Sequence, residues 1–152
     1  MKRRLVALVA AVAVAVVVSA GAVGAAEAGR PFATTLTGAA EVPGPGDSDG
    51  SGSAAIVLNQ GSGTVCFDVS WENVDGTVVA SHIHAAPAGV AGGVVVTLFT
   101  GAAFGGTGAD SGCTTGVDRG LIKAIRQNPS AFYVNVHSTV FPAGAVRGQL
   151  SK

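Results

Sequence analysis

The sequence predicts an all-β domain, a sandwich or barrel with one short helix. Three observations carry this: period-two alternation of apolar and polar residues, glycine-rich turns between the alternating runs, and a single stretch with helical spacing. Phe32 to Thr37 reads as the first strand and Ser53 to Leu58 as the second. Gly61-Ser62-Gly63 reads as a hairpin leading into Thr64 to Trp71, the clearest strand. There Val65, Phe67, Val69 and Trp71 share one face, and Cys66, Asp68 and Ser70 the other, as in a sheet buried on one side. Ala80 to His84 and Val94 to Phe99 follow. Gly101 to Gly112, rich in Gly and Ala, reads as a loop. Asp118 is placed to cap a short helix holding Leu121, Ile122 and Ile125, which Asn128-Pro129 ends. Phe132 to Ser138 and Ala145 to Leu150 complete the set. About seven short strands with turn signals between them suit a sandwich or a barrel.

The chain opens with a basic head, Met1-Lys2-Arg3-Arg4, then an unbroken apolar run from Leu5 to Val18, then small residues to Ala28. That order is the pattern of a secretory signal peptide, here residues 1–28. The rival reading is an uncleaved anchor, since a bilayer span takes about 20 apolar residues and Leu5 to Ala26 carries no charge. Residues 29–152 then form one domain, with 32–150 as its core. The whole chain has 9 basic and 9 acidic residues. A leader ending at Ala28 removes Lys2, Arg3, Arg4 and Glu27, leaving 6 basic and 8 acidic, a net charge of −2. With no basic tract, the mature chain does not suit nucleic acid or an anionic membrane surface. The expectation is a secreted or envelope protein, touching a membrane only through an uncleaved leader.

Cys66 and Cys113 are the only cysteines. In an exported chain an even count favours a disulfide; two free thiols are the alternative. A two-cysteine metal site has no second cysteine at ligand spacing. Asp47-Ser48-Asp49-Gly50 invites a calcium reading, but the spacing completes no EF-hand loop, so it reads as a solvated turn.

The chemistry-bearing groups concentrate in two strands. The three histidines of the chain lie in Ser81-His82-Ile83-His84 and in Tyr133-Val134-Asn135-Val136-His137. Alternation turns His82 and His84 to one face, and Tyr133, Asn135 and His137 to one face, with Ile83, Val134 and Val136 opposite. If the strands are neighbours, two readings follow. His82, His84 and His137 can present three imidazoles to one copper or zinc ion, which requires their nitrogens within about 3–4 Å of one another. Alternatively the histidines, Tyr133 and Asn135 form a hydrogen-bonded polar layer. In that layer His82 would hold the Pro87-to-Gly93 turn and Asn135 the Phe141-to-Gly144 turn. Arg147 and Gln149 alternate with Val146 and Leu150 and read as an outward polar face. Ser138 beside His137 makes no nucleophile–base pair alone, and no Gly-x-Ser-x-Gly elbow exists.

Several segments in order resemble one family: Leu36-Thr37-Gly38-Ala39-Ala40-Glu41-Val42-Pro43, Ala80-Ser81-His82-Ile83-His84, Gly89-Val90-Ala91-Gly92-Gly93-Val94-Val95-Val96, Asn128-Pro129, Tyr133-Val134-Asn135-Val136-His137, and Phe141-Pro142-Ala143-Gly144-Ala145-Val146-Arg147-Gly148-Gln149-Leu150. Their order and spacing are similar to the CHRD domain, the chordin-type module, over nearly all of 32–150. The resemblance implies an immunoglobulin-like, superoxide-dismutase-like Greek-key β-barrel or sandwich. It implies no enzymatic activity and assigns no catalytic residue. The His-x-His pair is also similar to the copper strand of copper/zinc superoxide dismutases, and Ala143-Gly144 before Arg147 loosely resembles the stretch at their substrate-guiding arginine. Those enzymes hold copper with four histidines, one bridging to zinc, so three histidines cannot build the pair of sites. The leading expectation is therefore a non-enzymatic extracellular module that recognises an unidentified partner through its loops and needs no cofactor. The alternative is a mononuclear copper or zinc protein using His82, His84 and His137. Tyr133, Asn135 and Arg147 belong to the polar layer in either case.

Overall fold

Strands form where alternation lets one face shed water and the other keep it. The computed structural model describes residues 31–152, and the leader expected over 1–28 lies outside them. Eight strands arise: β1 (Phe32–Thr37), β2 (Ser51–Asn59), β3 (Thr64–Glu72), β4 (Val78–Ala85), β5 (Gly93–Phe104), β6 (Gly108–Thr114), β7 (Phe132–Ser138) and β8 (Val146–Gln149). They pair antiparallel in one sheet ordered β5-β4-β7-β8-β1-β2-β3-β6. The neighbours β8–β1, β4–β7 and β3–β6 are not consecutive in the chain, so the sheet is not a simple meander. Its two ends curl together until Thr114 Oγ1 on β6 donates to the Thr97 carbonyl on β5 at 2.6 Å, leaving the barrel nearly closed.

The inside is apolar. Leu36, Ile56, Val65, Val69, Trp71, Val78, Ile83, Val134, Val136 and Val146 are all fully enclosed in one cluster. Such burial stabilises by roughly 1.5–3 kcal/mol per large side chain. Trp71 also donates its indole N–H to the Gly105 carbonyl at 3.0 Å, so the buried ring leaves no orphan donor there. The helix α1 (Arg119–Gln127) starts as the sequence predicts: Asp118 Oδ1 accepts from Leu121 N at 2.8 Å. Its Ile122 and Ile125, three apart, bury completely against the barrel. Among the described residues no helix is long and apolar enough to cross a membrane.

The region read as a loop, Gly101 to Gly112, instead forms the end of β5 and most of β6. None of the seven β6 residues is buried, so no apolar alternation announces the strand. It exists because β3 offers an unpaired edge, and β6 follows it from Val65↔Thr114 to Trp71↔Gly108. Cys66 and Cys113 face each other in that register and are joined, with an S–S distance of 2.06 Å. The turn at 47–50 is likewise not solvated throughout. Asp47 is 1 % exposed; its Oδ2 accepts from Asp75 N at 2.6 Å and its own N–H donates to the Ala145 carbonyl.

The disulfide closes a 47-residue separation at the place where side-chain packing contributes least. The double variant Cys66→Ala/Cys113→Ala is expected to lose about 2–4 kcal/mol of stability, read from denaturant melts against the oxidised wild type. An unchanged midpoint would contradict the staple's role.

Candidate metal centre

Strands β4, β7 and β8 lie side by side, so their alternate residues make two surfaces. Ile83, Val134, Val136 and Val146 face the core. The other surface carries His84 opposite Tyr133 opposite Gln149, and His82 opposite Asn135 opposite Arg147. Asn135 stands at the centre of this layer, and His137, two residues along β7, borders it.

Loops roof the layer and draw their hydrogen bonds from it. His84 Nδ1 donates to the Gly92 carbonyl at 2.9 Å and His137 Nδ1 to the Pro142 carbonyl at 3.1 Å. A carbonyl only accepts, so both rings carry their proton on Nδ1 and a lone pair on Nε2. Arg147 Nη2 donates to the Pro87 carbonyl at 3.0 Å, Gln149 Nε2 to that of Ala86 at 2.7 Å, and Gly92 N to Tyr133 Oη at 3.2 Å. The turn holders are thus not His82 and Asn135, as the sequence suggests, but His84 and His137. Each is closer to the end of its strand and reaches the adjoining loop, whereas His82 and Asn135 sit mid-strand. Arg147 and Gln149 are likewise not solvated: Arg147 is 1 % exposed, its guanidinium 3.4 Å above the Tyr133 ring. Ser138 Oγ accepts from Val140 N at 3.3 Å and from Phe141 N at 3.1 Å, a turn contact.

The structure brings all three histidines together. Ring centroids of His82 and His137 lie 4.8 Å apart, of His82 and His84 5.7 Å, and of His84 and His137 5.9 Å. One ring nitrogen from each falls within 4.8 Å of the others. His82 Nδ1, His84 Nε2 and His137 Nε2 are buried without a hydrogen-bond partner. Bonds of 2.0–2.1 Å to a common ion put nitrogens roughly 3.3–3.5 Å apart, so the cluster is too open by up to about 1.4 Å at its widest pair. Closing it requires a ring to turn. His82 is the one placed to do so: it is half-buried, and no loop carbonyl pins its Nδ1.

The model of the CHRD domain family matches residues 32–150. The chain belongs to the CHRD-domain family. None of the curated proteins and none of the solved structures matches it.

Two residues of this CHRD domain join the layer that the sequence did not place in it. Gln149 is one. Glu41 is the other: it is 7 % exposed, and its carboxylate occupies the space that a Cβ on Gly144 would need, at a φ of +141°. The signal for Glu41 was a lone acid inside Gly38-Ala39-Ala40-Glu41-Val42-Pro43.

Burial governs the charges. His82 is lowered to about 4, by desolvation first and then by the neighbouring His137 and His84. His84 is lowered by burial, opposed by the Gly92 carbonyl and the Asn135 amide, with the Arg147 charge adding to the fall. His137 is lowered by burial, opposed by the Pro142 carbonyl. Glu41 moves up to about 7, because burial outweighs the Arg147 charge, the Val42 N–H and the Asn135 amide. The three imidazoles therefore stay neutral, the form that coordinates metal.

These shifts have opposite signs in stability. A histidine with a depressed folded value contributes stability that is complete above its unfolded value and lost as pH falls through the folded one. For His82 that window runs from 6.5 down to about 4. Glu41, raised from 4.5 to about 7, contributes stability below 4.5 that is lost as pH rises through about 7. Melting temperatures of the metal-free domain should therefore fall as pH drops from 6.5 toward 4, where the three histidines outweigh the opposing Glu41, and should level off above about 7. His82→Asn should flatten this acid limb and Glu41→Gln should steepen it; a limb unchanged in both variants would contradict the assignment.

Proposed function

We propose that this CHRD domain is an exported, non-catalytic module that holds one copper or zinc ion on His82, His84 and His137. The single observation that carries the reading is the pair of pinned rings. His84 and His137 each spend Nδ1–H on a backbone carbonyl and keep a buried, unpartnered Nε2 lone pair. Orienting a ligand imidazole through its second nitrogen is how metal sites fix tautomer and ring plane. Leaving such atoms unsatisfied costs roughly 1–3 kcal/mol each, which an ion would offset. Export is supported by the Cys66–Cys113 bridge, which suits an oxidising compartment, and by the signal-like pattern of residues 1–28. The loops that roof the site would then also be the surface offered to an envelope or extracellular partner.

A second reading has its own observation. His84, Arg147 and Gln149 each satisfy a carbonyl of the 86–92 loop, so the layer can serve as a structural clamp with no ligand.

Titration of the untagged, oxidised domain with Zn(II), with Cu(II) and, under ascorbate, with Cu(I), followed by metal analysis after gel filtration, separates the two. One equivalent should be retained. His84→Ala and His137→Ala should each weaken binding by more than the ~10–100-fold that outer-shell changes cost. A folded wild type that retains no ion leaves the clamp as the function of the layer.

A further inference from the structure

The environment of the three imidazoles says which ion they suit. Among the described residues, the cluster contains no carboxylate and no thiolate. Its ligands are neutral. Next to them lies a fixed positive charge. Tyr133 stands on β7 between His84 on β4 and Arg147 on β8. Its ring stacks on His84 with centroids 4.8 Å apart and planes 8° from parallel, and it carries the Arg147 guanidinium 3.4 Å above it. Arg147 is also the residue directly across from Asn135, which is directly across from His82. Its charge is poorly compensated. Nη2 meets the Pro87 carbonyl and, at 3.4 Å, Gln149 Oε1, both neutral, while Nη1 has no partner. Glu41, a carboxyl that senses it, is itself held toward the neutral form by burial.

We infer that the site is built for monovalent cuprous copper rather than for a divalent ion, and that Arg147 sets this preference. The inference rests on the three-histidine reading above. Two physical effects point the same way. A buried cation repels a second charge in proportion to that charge, and with less screening than in bulk water. Replacing a +2 ion by a +1 ion halves the repulsion. Coordination number acts in parallel. Zn(II) on three imidazoles needs a water as its fourth ligand and Cu(II) prefers a tetragonal set with added nitrogen or oxygen donors, whereas three imidazoles alone complete a trigonal Cu(I) site. Arg147 is a positioning and charge-setting residue here; it touches no ion.

The test compares ions within one protein, so that any loss of folding cancels. Affinities for Cu(I), Cu(II) and Zn(II) are measured on the oxidised domain by competition with chromophoric chelators. Ascorbate serves as reductant, to keep Cys66–Cys113 closed. The reduction potential of the bound copper is followed by the Cu(II) electron paramagnetic signal. The wild type should bind Cu(I) most tightly and hold copper at a potential above that of the aqueous couple. Arg147→Met should lower the Cu(I)-to-Cu(II) affinity ratio about tenfold, a fall of about 59 mV for one electron, while Arg147→Lys should keep most of it. A wild-type potential at or below the aqueous couple overturns the inference even if no Arg147 variant folds. So does an unchanged ratio in Arg147→Met. Failure to bind any of the three ions instead removes the metal reading itself.

Discussion

The pairing of β4 with β7 in one register holds the rest in place. With His82 opposite Asn135 and His84 opposite Tyr133, Ile83, Val134 and Val136 enter the core and every titratable side chain of the two strands goes outward. A slip of one residue would exchange the two sets. In β4 it would drive His82 and His84 into the barrel and expose Ile83; in β7 it would drive in Tyr133, Asn135 and His137 and expose Val134 and Val136. No arrangement of loops could repair that, because an unpaired polar group in a dry core costs more than its neighbours can return. The apolar residues therefore position the polar ones. Their burial is the reason the histidines converge at all.

The outer layer depends in turn on its roof. An open sheet face would leave His84, Asn135 and Arg147 in water, with ordinary acid–base behaviour and no fixed orientation. The 86–92 and 141–145 segments remove that water and supply carbonyls as acceptors. Glycine permits the close approach where it matters most. At Gly144 any side chain would displace the Glu41 carboxylate. The result is a dry polar stratum on the outside of a barrel, held from below by strand register and from above by backbone acceptors, with a net excess of positive charge at Arg147.

Much of this was legible in the sequence because strand alternation is a local rule. Val65, Phe67, Val69 and Trp71 announced β3, and the His-x-His and Tyr-x-Asn-x-His spacings announced a shared face. Asp118 announced the helix start. What escaped notice was non-local. Strand β6 has no buried residue of its own and is templated by β3. Which ring meets which carbonyl depends on where the loops fold back, so His84 and His137 took the roles assigned to His82 and Asn135. Arg147 and Gln149 have the spacing of a solvated face, and only a loop some sixty residues earlier in the chain encloses them. Glu41 gave no periodic signal at all.

Strand β6 brings no buried residue to the sheet and is fastened by main-chain pairing, one hydroxyl contact to β5 and the Cys66–Cys113 bond. In a reducing cytosol that fastening weakens, and the long edge of β3 would stand bare as a template for strands from other molecules. Oxidation of Cys66 and Cys113 closes the seam. The bond thus works as a chaperone against self-association, and it makes the finished barrel a property of the compartment as much as of the chain.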